Sequence, residues 1–197
     1  MNIGIDIDNT ITNTREMIYK YAQTFSTANK LAIQTDMNEY LIEKSLGWSQ
    51  QTAHQFLAQY LPLIYRDVSP KNDAIQVIKQ LHQDHKIVLI TARNQRDSKV
   101  KAITQEWLEQ HELPYHKLVM NNTENVHHFS KLEACLEYEI DVMIEDHPDV
   151  CLELSQTLPV LIFDQPYNQH VQSEGITRVN TWREIKTLIG DIIQKDS

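Results

Sequence analysis

The chain has 197 residues, room for one domain of ordinary size or a domain carrying a modest insertion. Hydrophobic residues make up 41% and charged residues 23%, a balance that supports a packed core and excludes global disorder. With 18 basic against 27 acidic residues and a formal net charge of -9, the surface argues against a general binder of polymeric nucleic acid. One local site can still oppose that charge and take a small phosphorylated substrate.

The N-terminal stretch Met1-Asn-Ile-Gly-Ile-Asp6 lacks the basic start and apolar run of a signal peptide. No segment approaches the roughly 20 apolar residues of a membrane helix, so no membrane partner is expected and the expected location is the cytoplasm. Cys135 and Cys151 stand in apolar surroundings outside any C-x-x-C pair and are expected as reduced thiols in helices.

In chain order, Ile3, Ile5 and Ile7 alternate with Gly4, Asp6 and Asp8, a short β-branched pattern that predicts a strand. About sixty residues without a convincing strand follow. Met17, Ile18, Tyr21, Ala22 and Phe25 share one helical face, with Asn13 and Glu16 placed to cap its start. A second helix is expected around Tyr40 and Leu41. A third carries Ala53, Phe56, Leu57, Tyr60 and Leu61, with Ser49 as N-cap and with Pro62 and Pro70 marking its exit. Ala74, Ile75, Val77, Ile78 and Leu81 then form the apolar face of a helix over residues 72–83, ahead of a buried strand at residues 86–91. A helix through Val100, Ile103, Trp107 and Leu108 precedes a strand at Leu118–Met120, and another beginning at Leu132, Cys135 and Leu136 precedes a strand at Val142–Ile144. A short helix at Val150–Leu154, a strand at Val160–Phe163 and a sixth strand at Ile176–Val179 complete the alternation. The last helix opens on the capping box Thr181-Trp-Arg-Glu184.

Strands alternating with helices imply a doubly wound, mainly parallel α/β sheet. Residues 1–13 and 71–197 are expected to form this core, with residues 14–70 as a helical cap inserted after the first strand. Open α/β sheets bind ligands at the carboxyl ends of their strands, the edge such an insertion overhangs.

That edge collects chemistry. Asp6 and Asp8 close the first strand, and period-two geometry puts both on one side of the chain. Thr91 ends the second strand, Glu145 and Asp146 follow the fourth, and Lys131 opens the helix before it. Clustered carboxylates repel unless a cation joins them, and an all-oxygen set of Asp6, Asp146 and Glu145 suits Mg²⁺. Glu145 either joins through water or holds Lys131. A hard divalent ion favours a phosphate-bearing ligand. Asp6 is then placed to attack phosphorus, Asp8 to serve as acid and base, and Lys131 and Thr91 to stabilise charge on the phosphoryl oxygens.

Asp6-Ile-Asp8-Asn-Thr10 resembles the first motif, D-x-D-x-T, of the haloacid-dehalogenase-like phosphohydrolases. Thr91, Lys131 and Glu145-Asp146 with Asp149 resemble the second, third and fourth motifs, in family order. Within that superfamily the chain most resembles the 5′(3′)-deoxyribonucleotidase branch. The features that carry this are the insertion after the first motif, Ile144-Glu-Asp-His-Pro-Asp149, and the tail Phe163-Asp-Gln-Pro-Tyr-Asn168 followed by Arg178-Val-Asn-Thr-Trp182. The resemblance implies a HAD-like Rossmannoid core, Asp6 as nucleophile and Asp8 as acid/base. It implies Mg²⁺ on Asp6, the backbone oxygen of Asp8, and Asp146. Phosphate contacts follow from Thr91, Lys131 and the backbones of Asn9 and Ala92, with a nucleoside monophosphate as substrate. Members of that branch often carry Gly where Asn9 stands and Ser where Ala92 stands. A sugar-phosphate phosphatase and a silent or regulatory phosphate-binding protein are the alternatives.

Around this set, Arg93 is placed either to reach substrate or to form a surface salt bridge. Lys117 competes with Lys131 for the basic role. The insertion is rich in aromatics (Tyr19, Tyr21, Phe25, Tyr40, Trp48, Phe56, Tyr60 and Tyr65), which at helical spacing pack the core of the cap or offer faces for stacking a nucleobase; Trp48, after Gly47 in a turn, is the one favoured to touch substrate. His82, His85 and the pair His127-His128 are expected at the surface, without metal.

Overall fold

The computed structural model describes residues 1–124 and 129–195; the pair His127-His128 lies outside the described residues. Six parallel strands form one sheet in the order β3-β2-β1-β4-β5-β6. They are β1 (Asn2–Ile5), β2 (Lys86–Asn94), β3 (Lys117–Asn121), β4 (Val142–Glu145), β5 (Val160–Phe163) and β6 (Ile176–Val179). The chain reverses direction across the sheet at β1, flanked by β2 and β4, so the carboxyl end of β1 is the switch point where such sheets bind ligands.

Period-two alternation sorts the strand residues onto two faces. Ile3, Ile5, Ile87, Leu89, Val142 and Ile144 point to one core, covered by α4 (Ala74–Asp84), α5 (Ser98–Gln110) and α8 (Trp182–Lys195). Val88, Ile90, Met143, Val160 and Ile162 point to the other, covered by α6 (Lys131–Glu137) and α7 (Pro148–Leu154). Gly4 falls on this second face because a Cβ there would lie 2.6 Å from Met143 Sδ. Cys135 and Cys151 are buried free thiols of that face, in α6 and α7. The capping box of α8 closes in both directions: the Glu184 amide donates to Thr181 Oγ1 at 3.2 Å, and the Thr181 amide donates to Glu184 Oε2 at 3.2 Å.

Between β1 and α4 stand α1 (Thr14–Asn29), α2 (Ile42–Leu46) and α3 (Gln50–Asp67). Ile18, Ala22, Phe25, Leu46, Phe56 and Ile64 form a core of their own. The two connections run side by side: the Asn13 amide donates to Ser69 O at 3.0 Å, the Lys71 amide donates to Ile11 O at 2.7 Å, and Thr12 bridges Pro70. Trp107 in α5 donates its indole N–H to Val68 O at 2.8 Å, fixing the exit from α3.

Four local expectations are corrected. The helix expected around Tyr40 and Leu41 starts only at Ile42, with Leu41 at its N-cap and Tyr40 in the loop before it. Helix α3 does not end at Pro62 but passes through it to Asp67. Proline costs the helix one hydrogen bond, and the last turn is retained where Ile64 is fully buried. Asn13 gives α1 no side-chain cap; its amide group donates instead to Ser69 Oγ and Pro70 O in the paired connections. Strand β2 continues past Thr91 to Asn94 through an irregularity in its pairing with β3. The Ser49 cap is present, its hydroxyl accepting from the Thr52 amide at 3.1 Å.

Candidate active site

Strand β1 ends at Ile5, and its direction carries Asp6 into the sheet edge beside the end of β4. The Asp6 amide still donates to Ile144 O at 3.0 Å, which fixes where its side chain starts. Lys131, first residue of α6, extends its ammonium between two carboxylates, 2.6 Å from Asp6 Oδ1 and 2.5 Å from Glu145 Oε2. All three side chains are buried. The other oxygen of Glu145 accepts the amides of Asp146 and His147 at 3.0 and 3.1 Å. Glu145 thus spends both oxygens locally, one on Lys131 and one on the turn after β4. Lys117, the competing lysine, is exposed and sits over the Tyr138 ring.

Asp6, Glu145 and Asp146 each offer a carboxylate oxygen within 4.8 Å of the others, all buried. Burial, with the neighbouring charges of Glu145, Asp146 and Asp8, pushes the Asp6 carboxyl well above its ordinary value despite Lys131. Burial and Glu145 likewise push Asp146 up to about 7. Burial works against the charge on Lys131, but Asp6 and Glu145 outweigh it and hold the ammonium protonated. One ammonium among buried acids leaves an excess of negative charge, and the all-oxygen donor set fits a hard divalent cation.

Asp8 meets different partners. Arg93 donates through Nε to Oδ2 at 2.9 Å and through Nη2 to Oδ1 at 2.8 Å, and the Thr14 hydroxyl donates to Oδ1 at 2.7 Å. Burial disfavours the Asp8 charge, yet Arg93 and Thr14 together hold its carboxyl below the usual value. Arg93 is not a surface residue: its side chain is 1% exposed, its Nη1 donates to Thr104 Oγ1 at 3.3 Å, and its guanidinium lies 3.9 Å from the centre of the Tyr65 ring of α3. Both donors to Asp8 are therefore tied to the inserted helices, Thr14 by belonging to α1 and Arg93 through Tyr65.

Thr91 is fully buried, and its hydroxyl accepts the Arg93 amide at 3.2 Å. Ala92 lies between them. Asn9 adopts a left-handed backbone with φ 58°, a conformation open mainly to glycine and asparagine. Its Oδ1 accepts the Arg15 amide at 2.7 Å, capping α1, and its Nδ2 donates to Asp146 Oδ2 at 3.4 Å. Asp149 lies in the first turn of α7, where the cap is not its carboxylate but the His147 ring, whose Nδ1 accepts the Asp149 amide at 3.2 Å.

Trp48, half-buried, packs against the core of α1–α3, its ring 5.4 Å from those of Phe25 and Phe56, and its indole N–H donates to Ala32 O at 3.0 Å. Two other aromatics of this segment do reach the sheet edge: Tyr65, under Arg93, and Tyr40. Tyr40 lies edge-on to His147 at 4.2 Å and to Tyr167 at 5.3 Å. Desolvation and the charges of Asp146, Glu145 and Asp6 raise the Tyr40 pKa well above the ordinary value, although 36% of the residue stays exposed. Arg15 holds Tyr40 in place by donating through Nη1 to its carbonyl at 2.7 Å and through Nη2 to Glu39 O. Sequence spacing sets Tyr40 in a helix, whereas it stands in the loop before α2, so its direction toward the edge is not legible from spacing. Tyr167, in a turn without period, is missed; the quoted tail is the available signal for it.

His82 stacks on His116 with ring centres 4.4 Å apart, away from the acids. Among the described residues, no helix is long and apolar enough to cross a membrane.

The solved structure of a haloacid-dehalogenase-like hydrolase from Streptococcus pneumoniae superposes with a TM-score of 0.70 at 13% identity, covering 95% of this chain and 97% of that one. CbbY from Rhodobacter sphaeroides, solved in complex with phosphate, superposes with a TM-score of 0.61 at 12% identity, over 93% and 95% of the two chains. Both share the fold. A nucleotidase of Clostridium acetobutylicum is 30% identical over 196 residues, 99% of this chain and 96% of that protein. The model of the 5′ nucleotidase, deoxy (Pyrimidine), cytosolic type C protein family matches residues 1–196. With those motifs gathered on one sheet edge and matches that run almost end to end, the chain belongs to this family and is a nucleotidase-class phosphatase of the haloacid-dehalogenase-like superfamily.

Proposed function

We propose that the protein is a Mg²⁺-dependent phosphomonoesterase that works through an aspartyl-phosphate on Asp6, acts on a nucleoside monophosphate of the deoxyribonucleotide type, and uses α1–α3 as a cap. The observation that carries this reading is Lys131 held between Asp6 and Glu145, with Asp146 alongside, at the carboxyl end of β1. Asp6, Asp146 and the backbone oxygen of Asp8 would hold the metal, with Glu145 engaged on Lys131 instead. When bound, the ion neutralises negative charge between these carboxylates and the phosphate.

In the first half-reaction a carboxylate oxygen of Asp6 forms a bond to phosphorus as the ester oxygen leaves, and Asp8 gives that oxygen its proton. In the second, water attacks phosphorus, Asp8 takes the water's proton, and the Asp6–phosphorus bond breaks to release phosphate. Lys131 and the Thr91 hydroxyl meet charge on the transferring oxygens. Arg93 and Thr14 fix both oxygens of Asp8, and their grip favours the ionised form that the second half-reaction needs. Closure of the inserted helices over the edge would exclude water and select the leaving group.

The test is phosphate release from 5′- and 3′-nucleoside monophosphates and common sugar phosphates, with Mg²⁺, with chelator, and with Asp6→Asn. Mg²⁺-dependent release from one nucleotide group, abolished in the variant, is the expected result. Release from sugar phosphates alone would keep the chemistry and overturn the nucleotide assignment. Release unaffected by Asp6→Asn would overturn the mechanism.

A further inference from the structure

The tail Phe163–Asn168 with Arg178 takes no part in the steps above, yet it is built in detail around Asp146. Tyr167 is 2% exposed, and its hydroxyl donates to Asp146 Oδ2. Its neighbour Asn168, fully buried, sends its side-chain amide to the backbone oxygen of Asp146 at 2.9 Å and to Phe163 O at 2.8 Å. Asn168 is itself fixed. Its Oδ1 accepts Arg178 Nη1 at 2.7 Å and the Gln165 amide at 3.2 Å, and its carbonyl accepts Arg178 Nη2 at 2.9 Å. One turn after β5 therefore grips Asp146 at both its carboxylate and its carbonyl.

The Tyr167 ring is also clamped. The Arg15 guanidinium lies 5.1 Å from its centre, and Tyr40 meets it edge-on at 5.3 Å. The other oxygen of Asp146, Oδ1, has a longer bond, from Thr10 Oγ1 at 3.3 Å. A carboxylate buried beside two others keeps a single rotamer only if donors hold it. Partners of this kind behind a ligand commonly set metal affinity.

We infer that Tyr167 is a positioning residue: its hydroxyl fixes the Asp146 carboxylate in the orientation that completes a divalent-metal site with Asp6, and so sets the affinity of that site for Mg²⁺. The inference rests on the metal reading proposed above. It extends that reading by giving the Pro166–Asn168 turn and Arg178 the task of holding Asp146.

Mg²⁺ binding to the full chain, measured by titration calorimetry, tests it on wild type, Tyr167→Phe and Tyr40→Leu. Tyr167→Phe removes one oxygen and keeps the ring packing, so its melting temperature in chelator should stay close to wild type. Its Mg²⁺ dissociation constant should rise about 10-fold or more, and kcat should recover at high Mg²⁺ with KM for the phosphomonoester unchanged. Tyr40→Leu removes one ring contact and leaves the Tyr167 phenol on Asp146, so its loss of Mg²⁺ affinity should be smaller than that of Tyr167→Phe. Equal affinity in wild type and Tyr167→Phe would overturn the inference, as would an equal loss in Tyr40→Leu, which would assign the effect to packing. Failure of wild type to bind Mg²⁺ would overturn the metal reading and this inference with it.

Discussion

Arg93 holds both carboxylate oxygens of Asp8, at 2.8 and 2.9 Å, across 85 residues of sequence. A fork of this kind fixes position as well as charge. Arg93→Met should therefore destabilise the protein by about 3 kcal/mol, the low end for breaking a buried pair, because Asp8 keeps some access to water. Arg93→Lys should recover part of that loss and not all, because an ammonium cannot occupy both oxygens in the same plane. Urea midpoints of the three proteins check this; an Arg93→Met midpoint equal to wild type would refute it.

The same pair predicts a pH dependence. The fold holds the Asp8 carboxyl below its unfolded value, near 3.9, so the ionised form is the one stabilised. That contribution is fully present above about pH 4 and is lost as pH falls through the folded pKa. The stability gap between wild type and Arg93→Met should accordingly hold above about pH 4 and narrow as pH falls below it. Comparing the two proteins at each pH cancels the titration of the other carboxylates. A gap independent of pH would remove Asp8 as its source.

Burial pushes the Cys135 thiol up to about 12, and burial together with the charge of Glu145 raises Cys151 as well. The reactive species is the thiolate, so neither cysteine should react with a disulfide reagent in the native protein at pH 8. Two thiols per chain should appear when the reagent is added in denaturant. Rapid native labelling of either one would show that α6 or α7 opens readily.

Glycine replacements should separate by what their new methyl group meets. At Gly175 a Cβ would stand 2.5 Å from the backbone oxygen of Ser155, which cannot rotate away. Gly175→Ala should cost about 1–3 kcal/mol through overpacking. Gly4→Ala should cost less, because its contact at 2.6 Å is the sulfur of the flexible Met143. Gly190, within α8, has nothing within 4 Å of a Cβ, and Gly190→Ala should stabilise by about 0.5–1 kcal/mol. Denaturant midpoints should rank the variants in that order.

Much of the fold is legible because its determinants are local. The Ile3–Ile5 alternation, the apolar run of β2 and the Thr181–Glu184 box each act within a few residues. They emerge as strand, buried strand and helix cap. Lys131 is legible for a different reason: acids on a sheet edge need a counter-charge, and this lysine opens the helix that leads back to β4. The Arg93–Asp8 fork is not, because nothing near either residue specifies a partner so distant in sequence. Tyr40 and Tyr167 sit in turns without period, and their places depend on Arg15 holding one loop against another. Trp48 shows the converse. An aromatic after a glycine turn resembles a ligand contact, but the small core of three helices needs its surface.

The bridge between Thr12 and Pro70 also bears on how the chain could change over time. Because Thr12 and Pro70 already pair, the sheet experiences the residues between them as one closed loop. The entropy of closing such a loop grows only logarithmically, by about 0.6 kcal/mol for each doubling of length. Stretches of this loop away from Thr14, Arg15, Tyr40, Tyr65 and Val68, which touch the rest of the chain, could therefore be lengthened or shortened at little entropic cost to the strands. Substrate range could then vary in one segment of sequence while Asp6, Lys131 and Asp146 stayed in place.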